Sequence, residues 1–356
     1  MNRQQKGWQQ LFLFSLLPLF LAIFGASGWL WWNWAISPAQ LNAAKPQQIQ
    51  IPPGTATQQI GTKLEQAGLI RSKIAWDLLA RYISSQKSNG GFQAGTYELS
   101  ANQPLNEIAQ TIWDGKVIQV SFTIPEGWSL RQMADYFQKE KGWFSSQDFI
   151  DAASQIDRKK YPWLPADIPF LEGFLFPETY QVTKERITPQ AVVQLMLERF
   201  EKTALPVYQK SQNQELNQPK FTLKQWVTLA SIVEKEAVVQ KERPRIAGVF
   251  VSRLLKGMKL ESDPTVEYAF GIRQTPDKPL TFAQVRKPSP YNTYATPGLP
   301  PTPIAAPALE SLKAVLNPES TEYLFFVARY DGTHVFSRTL PEHEAAVVKI
   351  RRERQR

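Results

Sequence analysis

Ile51-Pro52-Pro53-Gly54, followed by Ile60, Leu64, Gly68 and Ser72, returns further along the chain as Ile124-Pro125-Glu126-Gly127, followed by Met133, Phe137, Gly142 and Ser146. Each copy reads as a short strand, a Pro-Gly turn, an amphipathic helix closed by a glycine, and a second helix opened by a capping serine. Farther on, Gly95-Thr96-Tyr97-Glu98-Leu99 is echoed by Glu178-Thr179-Tyr180-Gln181-Val182. A period of about 75 residues predicts duplicated α+β units, with convergent turn chemistry as the other source of the likeness. Residues present in both copies, such as Tyr97 and Tyr180, read as scaffold. Glu172 and Glu178 have no acidic counterpart in the first copy, so the stretch Leu171 to Glu178 stays open to a functional role.

Upstream of the first copy, residues 37–48 are polar, hold two prolines and show no periodicity, which marks a linker. Before it, no charged residue occurs from Gly7 to Ala44, and Leu11 to Ile36 is almost continuously apolar. About 20 such residues cross a bilayer as a helix. The expectation is therefore a single membrane span, with Trp29, Trp31, Trp32 and Trp34 as an interfacial belt. Arg3 and Lys6 precede the span and only Lys45 follows it closely, which places the short tail in the cytoplasm and everything after the span outside. A cleaved signal peptide with its site at Gly25-Ala26-Ser27 is the rival, but its apolar core would be unusually long.

Downstream of the second copy, a polar stretch from Gln209 to Lys220 leads into a long helix beginning near Leu223, and a second helix, Ile246 to Leu255, follows Pro244. After Gly257 the chain turns loop-rich, through Asp263-Pro264-Thr265 and Pro288-Ser289-Pro290-Tyr291-Asn292-Thr293-Tyr294. Tyr323 to Val327 and His334 to Ser337 read as a closing hairpin around Asp331-Gly332.

Composition removes several classes. The 356 residues are 43% hydrophobic, enough for real cores, and contain no cysteine, so neither disulfides nor cysteine metal sites are available. The net charge of +9 includes +4 from residues 349–356, and the remainder forms no basic stripe, which argues against a nucleic-acid partner. His334 and His343 have no His-Glu-x-x-His spacing, and there is no Walker loop, Gly-x-Ser-x-Gly elbow or dinucleotide fingerprint. No cofactor and no metal are expected.

What remains is acid–base chemistry. In Ala230-Ser231-Ile232-Val233-Glu234-Lys235-Glu236-Ala237, a helical advance of about 100° per residue puts Trp226, Leu229, Val233 and Ala237 on one apolar stripe. Glu236 falls at the stripe's edge, whereas Glu234 points toward the polar flank. A carboxyl against apolar side chains loses hydration and holds its proton more tightly, as a general acid must near neutral pH. The plainer alternative is a solvated face, since Glu-Lys-Glu strings are common on helices. The Tyr-Asn-Thr-Tyr run, stiffened by prolines, offers the aromatic faces and polar donors that bind sugars; a proline-rich linker is its alternative.

Five segments together carry a resemblance. They are Leu229 to Glu236, Asp263-Pro264-Thr265-Val266, Ser289 to Tyr294, Gly298-Leu299-Pro300-Pro301 and Tyr323-Leu324-Phe325-Phe326-Val327. In order and with one amino-terminal span, they resemble the endolytic murein transglycosylases of the MltG or YceG-like family. The resemblance implies an α+β protein of the cell membrane: a cytoplasmic tail (1–10), a membrane helix (11–36), a linker (37–48), a small LysM-like module (49–118), a catalytic domain (119–346) and a basic tail (347–356). It implies cleavage of the bond between N-acetylmuramic acid and N-acetylglucosamine in peptidoglycan strands, with a 1,6-anhydro end formed, and peptidoglycan synthases as possible partners. Glu236 maps to the family's catalytic glutamate, with Glu234 as a supporting charge. Asp263, Tyr291, Asn292 and Tyr294 are expected to line the sugar groove, with Glu261 and Glu178 as further substrate-side candidates; Glu172 joins Glu178, Glu261 and Asp263 as a possible second carboxylate. The chain departs from the family pattern at Glu261, Thr302, Ala306 and Glu344. A non-catalytic peptidoglycan-binding scaffold is the competing class, and a lyase of a small cytosolic metabolite is opposed by the span.

Overall fold

The computed structural model describes residues 3–42, 45–87, 90–213, 219–275, 277–329 and 331–354, with side chains in the first helix described from residue 20 onward. It divides into two compact units, residues 1–120 with 181–186, and residues 121–180 with 187–356. The strand carrying Tyr180 and Gln181 is thus shared out between them.

In the first unit, helix α1 (Arg3–Ile36) is followed by β1 (Gln47–Ile51), α2 (Thr57–Gln66), α3 (Lys73–Gln86), β2 (Gly95–Leu99) and α4 (Leu105–Trp113). β1 and β2 pair antiparallel, with Ile49 opposite Tyr97. Ile51, Ile60, Leu64, Trp76, Tyr97 and Ile108 close a core beneath them, and Ala35, at the end of α1, is buried in it. The segment read as a linker is held there, since Arg71 Nε donates to Pro38 O at 2.8 Å. The expected span at 11–36 includes side chains outside those described, and among the described residues no helix is long and apolar enough to cross a membrane.

The second unit begins within β3 (Gln119–Thr123) and repeats the plan with α5 (Leu130–Tyr136), a single π turn, α6 (Ser146–Ser154) and β4 (Thr179–Thr183), which pairs with β3. The serine that caps α6 is Ser145 rather than Ser146, its side chain accepting from Asp148 N. Tyr97 and Tyr180 each donate their hydroxyl to the carbonyl four residues upstream, Gln93 O and Phe176 O. That shared bond ties a strand to its preceding loop, the scaffold role expected of a residue present in both copies.

Then follow α7 (Pro189–Thr203), α8 (Leu205–Gln212), α9 (Leu223–Glu236), α10 (Arg243–Leu255), α11 (Asp263–Phe270), α12 (Phe282–Arg286) and α13 (Leu309–Leu316). The hairpin β5 (Phe325–Ala328) and β6 (His334–Ser337) and helix α14 (Leu340–Arg354) complete the unit. Two expectations change here. Asp263-Pro264-Thr265 opens a helix instead of a loop, because Pro264 occupies a first-turn position that lacks an intrahelical N–H partner. Residues 347–354 continue α14 rather than forming a tail, and Ile350 is buried.

α9 is the axis of this unit. Thr222 and Gln225 form a reciprocal capping box at its start. From Trp226 to Val233 every residue is buried, Ser231 included, so the helix has no wet flank between its first and last turns. Trp226 Nε1 donates to Leu312 O of α13 at 2.8 Å, and Ser231 Oγ accepts from Ile304 N at 3.0 Å.

Candidate active site

The last turn of α9 points Glu234, Lys235 and Glu236 in three directions, and of the three only Lys235 is exposed. Glu236 Oε1 accepts the Ser262 hydroxyl at 2.6 Å. Ser262 occupies the N-cap position of α11 yet makes no side-chain cap bond, because its hydroxyl is turned to Glu236. Its backbone is fixed instead by Thr293 Oγ1, which accepts from Ser262 N at 3.0 Å, and by Thr265, whose hydroxyl donates to Ser262 O at 2.6 Å. All three hydroxyl residues are buried.

Burial, the first cause, pushes the Glu236 carboxyl up to about 7; the Ser262 hydrogen bond and the Arg253 charge oppose that shift, and the Asp263 and Glu267 charges add to it. Asp263 and Glu267 stand one turn apart on α11, on the same face. Tyr294 OH donates to Asp263 Oδ1 at 2.7 Å and Gln274 Nε2 to Oδ2 at 3.1 Å. Burial and the Asp263 charge hold the Tyr294 hydroxyl protonated well above the ordinary phenol range, so it is a permanent donor.

The structure therefore brings Glu236, Asp263 and Tyr294 together. It uses the other expected residues differently. Asn292 is fully buried, its Nδ2 donating to Val285 O (2.9 Å) and Lys287 O (2.8 Å) and its Oδ1 accepting from Tyr294 N (2.9 Å). Those three bonds hold the proline-bounded loop, so Asn292 has no donor left for a sugar. Tyr291 OH shares a hydrogen bond with Thr302 Oγ1 at 2.8 Å, and its ring leans on Tyr268. Thr302, a departure from the family pattern, thus supplies Tyr291 with its partner. Ala306, another, contributes through its backbone, bonded to Trp128 O and Gly127 N at 2.8 Å each.

Glu178 pairs with Arg199 of α7 rather than joining this group. Glu261 turns to Arg253, 3.1 Å away, and carries the single positive φ (51°) found on a non-glycine among the described residues. Glu234 is buried: it meets Arg243 at 3.1 Å and accepts from Ala308 N (3.0 Å) and Ser311 Oγ (2.7 Å) at the start of α13. Its support is thus to the packing of α9, α10 and α13. Among the described residues no group of three or more His, Cys, Asp or Glu side chains converges to hold a metal ion.

Beside this group lies a cleft of about 670 Å³ whose walls include Lys235, Trp128, Glu172, Glu267 and Tyr268; Glu236 itself is not one of them. Glu172 is 2% exposed and accepts Leu130 N at 2.9 Å and Tyr268 OH at 3.0 Å. Burial pushes its carboxyl up to about 8, against those two bonds. The chain after Glu172 passes close to Pro303 at Gly173, at φ 81°, where a Cβ would lie 2.4 Å from the Pro303 ring. Ser262, Glu267 and Gln274 were not singled out from sequence; the signal available for Ser262 was its place before Asp263-Pro264, the pattern of a helix start.

The second unit thus sets a half-buried acid at the end of α9 beside hydroxyl groups and a polar cleft, within a mixed α+β fold. The chain belongs to the YceG-like family, whose sequence model matches residues 49–349. It is 32% identical over 326 residues to the Endolytic murein transglycosylase of Bacillus subtilis, covering 88% of this chain and 87% of that one. It is 30% identical to the protein of the same name from Streptococcus pneumoniae, covering 95% of this chain and 65% of that one. A crystal structure of a YceG-like protein from Listeria monocytogenes superposes with a TM-score of 0.57 at 30% identity, over 85% of this chain and 100% of its own.

Proposed function

We propose that this chain is an endolytic lytic transglycosylase of peptidoglycan, with Glu236 as its one acid–base group. The observation that carries the reading is the Glu236 carboxyl at the end of α9, bonded at 2.6 Å by the Ser262 hydroxyl at the N-cap of α11, where burial pushes it up to about 7. The names of the relatives supply the substrate class. Glu236 gives its proton to the oxygen linking C1 of N-acetylmuramic acid to N-acetylglucosamine, and the C1–O bond breaks through an oxocarbenium-like state. The carboxylate then takes the proton of the muramic acid C6 hydroxyl as that oxygen bonds to C1, closing the 1,6-anhydro ring. The acid is regenerated and no water is consumed. Because Ser262 donates to Oε1, Oε2 is the oxygen left to carry the proton.

The same proposal places the second unit outside the membrane, with α1 as a single anchor and the amino end in the cytoplasm. The exposure of Phe20, Leu21, Ile23, Phe24, Trp29 and Leu30 on α1 supports an apolar surrounding for that helix. Acting next to a membrane, such an enzyme would meet strands as synthases extend them and would end their growth. Mass spectrometry of strands digested by the full chain tests the reaction: 1,6-anhydro ends are expected, and reducing muramic acid ends would overturn it. A scaffold without catalysis predicts no cleavage and an intact cellular phenotype for Glu236→Gln.

A further inference from the structure

The cleft beside Glu236 is lined by three carboxylates and three cations, and two of the cations have no hydrogen-bond or ion-pair partner among the described residues. Its carboxylates are already engaged within the protein: Glu126 faces Arg243 at 3.7 Å, Glu267 Oε1 accepts from Gln274 N at 2.6 Å, and Glu172 is taken by Leu130 N and Tyr268 OH. Lys235 Nζ donates to Gly127 O at 3.3 Å. Arg131 of α5 and Arg273, just after α11, line the same cleft, are exposed and make no hydrogen bond or ion pair among the described residues, although the Arg131 charge acts on Glu172.

Their placement is specific. Gly271 ends α11 at φ 62°, and a Cβ there would stand 2.7 Å from Arg131 Nη1, so the Arg131 guanidinium lies against the end of α11, two residues before Arg273 in the chain. Trp128, Phe170 and Ile150 supply apolar wall to the same cavity. Two forked cations above apolar surface fit a ligand that carries carboxylates on a short, partly apolar chain, because a guanidinium binds a carboxylate through two parallel hydrogen bonds.

On the reading of the preceding section, the substrate offers one such group. The sugar backbone of peptidoglycan is uncharged once its lactyl acid is amide-linked, and the free carboxylates sit on the peptide branches. The geometry points to this cleft as the subsite for the peptide branch of the strand, with Arg131 and Arg273 binding its carboxylates beside the bond that Glu236 cleaves. The position follows from the chain: Lys235 in the wall precedes Glu236, and Glu267 lies one turn beyond Asp263.

The test is a binding comparison in the full chain carrying Glu236→Gln, so that strands are held without being cut. End-labelled soluble strands with their peptides are compared with the same strands stripped by an amidase. Peptide-bearing strands are expected to bind at least about tenfold more tightly. Adding Arg131→Gln and Arg273→Gln should bring them down to the level of stripped strands, with thermal unfolding used to confirm the fold, and lysine at both positions should restore only part of the difference. Equal binding of the two strand types, a difference that survives loss of both arginines, or a parallel loss for both strand types would each overturn the assignment. A wild-type chain that produces no anhydro ends would overturn the catalytic reading, and this binding comparison would still decide the subsite.

Discussion

Glu236 can serve as acid and base in turn only if its carboxyl is poised near the working pH. Glu236→Gln removes the transferable proton while keeping shape and a hydrogen-bond acceptor for Ser262. Release of anhydro-ended fragments should fall by roughly 100-fold or more, read as initial rates by mass spectrometry. In the wild-type chain the acid form is required first, so the rate should decline as pH rises through about 7, the value to which burial pushes Glu236. Ser262→Ala tests the tuning. That hydroxyl stabilises the ionised carboxyl, so its loss should raise the carboxyl further and move the basic limb of the pH–rate profile to higher pH. A limb that stays in place would mean that another group sets it.

At the scale of elements, α9 holds two glutamates two residues apart in unlike surroundings, and the contrast is set by what packs on each side of the helix end. Glu234 joins α9 to α10 through Arg243 and to α13 through Ala308 and Ser311. Glu234→Gln leaves the Arg243 charge, whose side chain is only 6% exposed, with Glu126 alone at 3.7 Å, and weakening a buried pair from one side costs up to about 3–5 kcal/mol. Chemical denaturation should show a loss of that order, whereas a surface charge would show almost none. Helical periodicity identified Glu236 as the residue on the apolar edge, but it sent Glu234 to a polar flank. The reason is that an angle around one helix says nothing of its neighbours, and α10 and α13 cover the side of α9 that carries Glu234. The same gap hid the role of Asn292: its residue type announces hydrogen bonding, and only the folded loop shows that Val285, Lys287 and Tyr294 consume it.

Across the whole molecule, the repeat was legible because its turn glycines, helix caps and strand tyrosines are local signals. The cleft was not legible, since Arg131, Glu172 and the Glu267–Arg273 stretch come from three separate segments. That assembly has a consequence for stability. Glu172 and Glu236 both hold their protons in the folded chain to higher pH than an ordinary glutamate, up to about 8 and about 7 from 4.5. An unfolded chain gives up these protons near 4.5, so between that pH and about 8 the folded state binds more protons than the unfolded one, and stability must fall as pH rises. The sign is opposite to that of a salt-bridged acid. Each group costs on the order of 3–5 kcal/mol above its folded value. Denaturation midpoints of the second unit's transition should therefore decline from pH 5 to pH 8, and Glu172→Gln combined with Glu236→Gln should flatten that decline. A slope unchanged in the double variant would show that these carboxyls ionise at ordinary pH, and would remove the electrostatic basis for Glu236 as the acid.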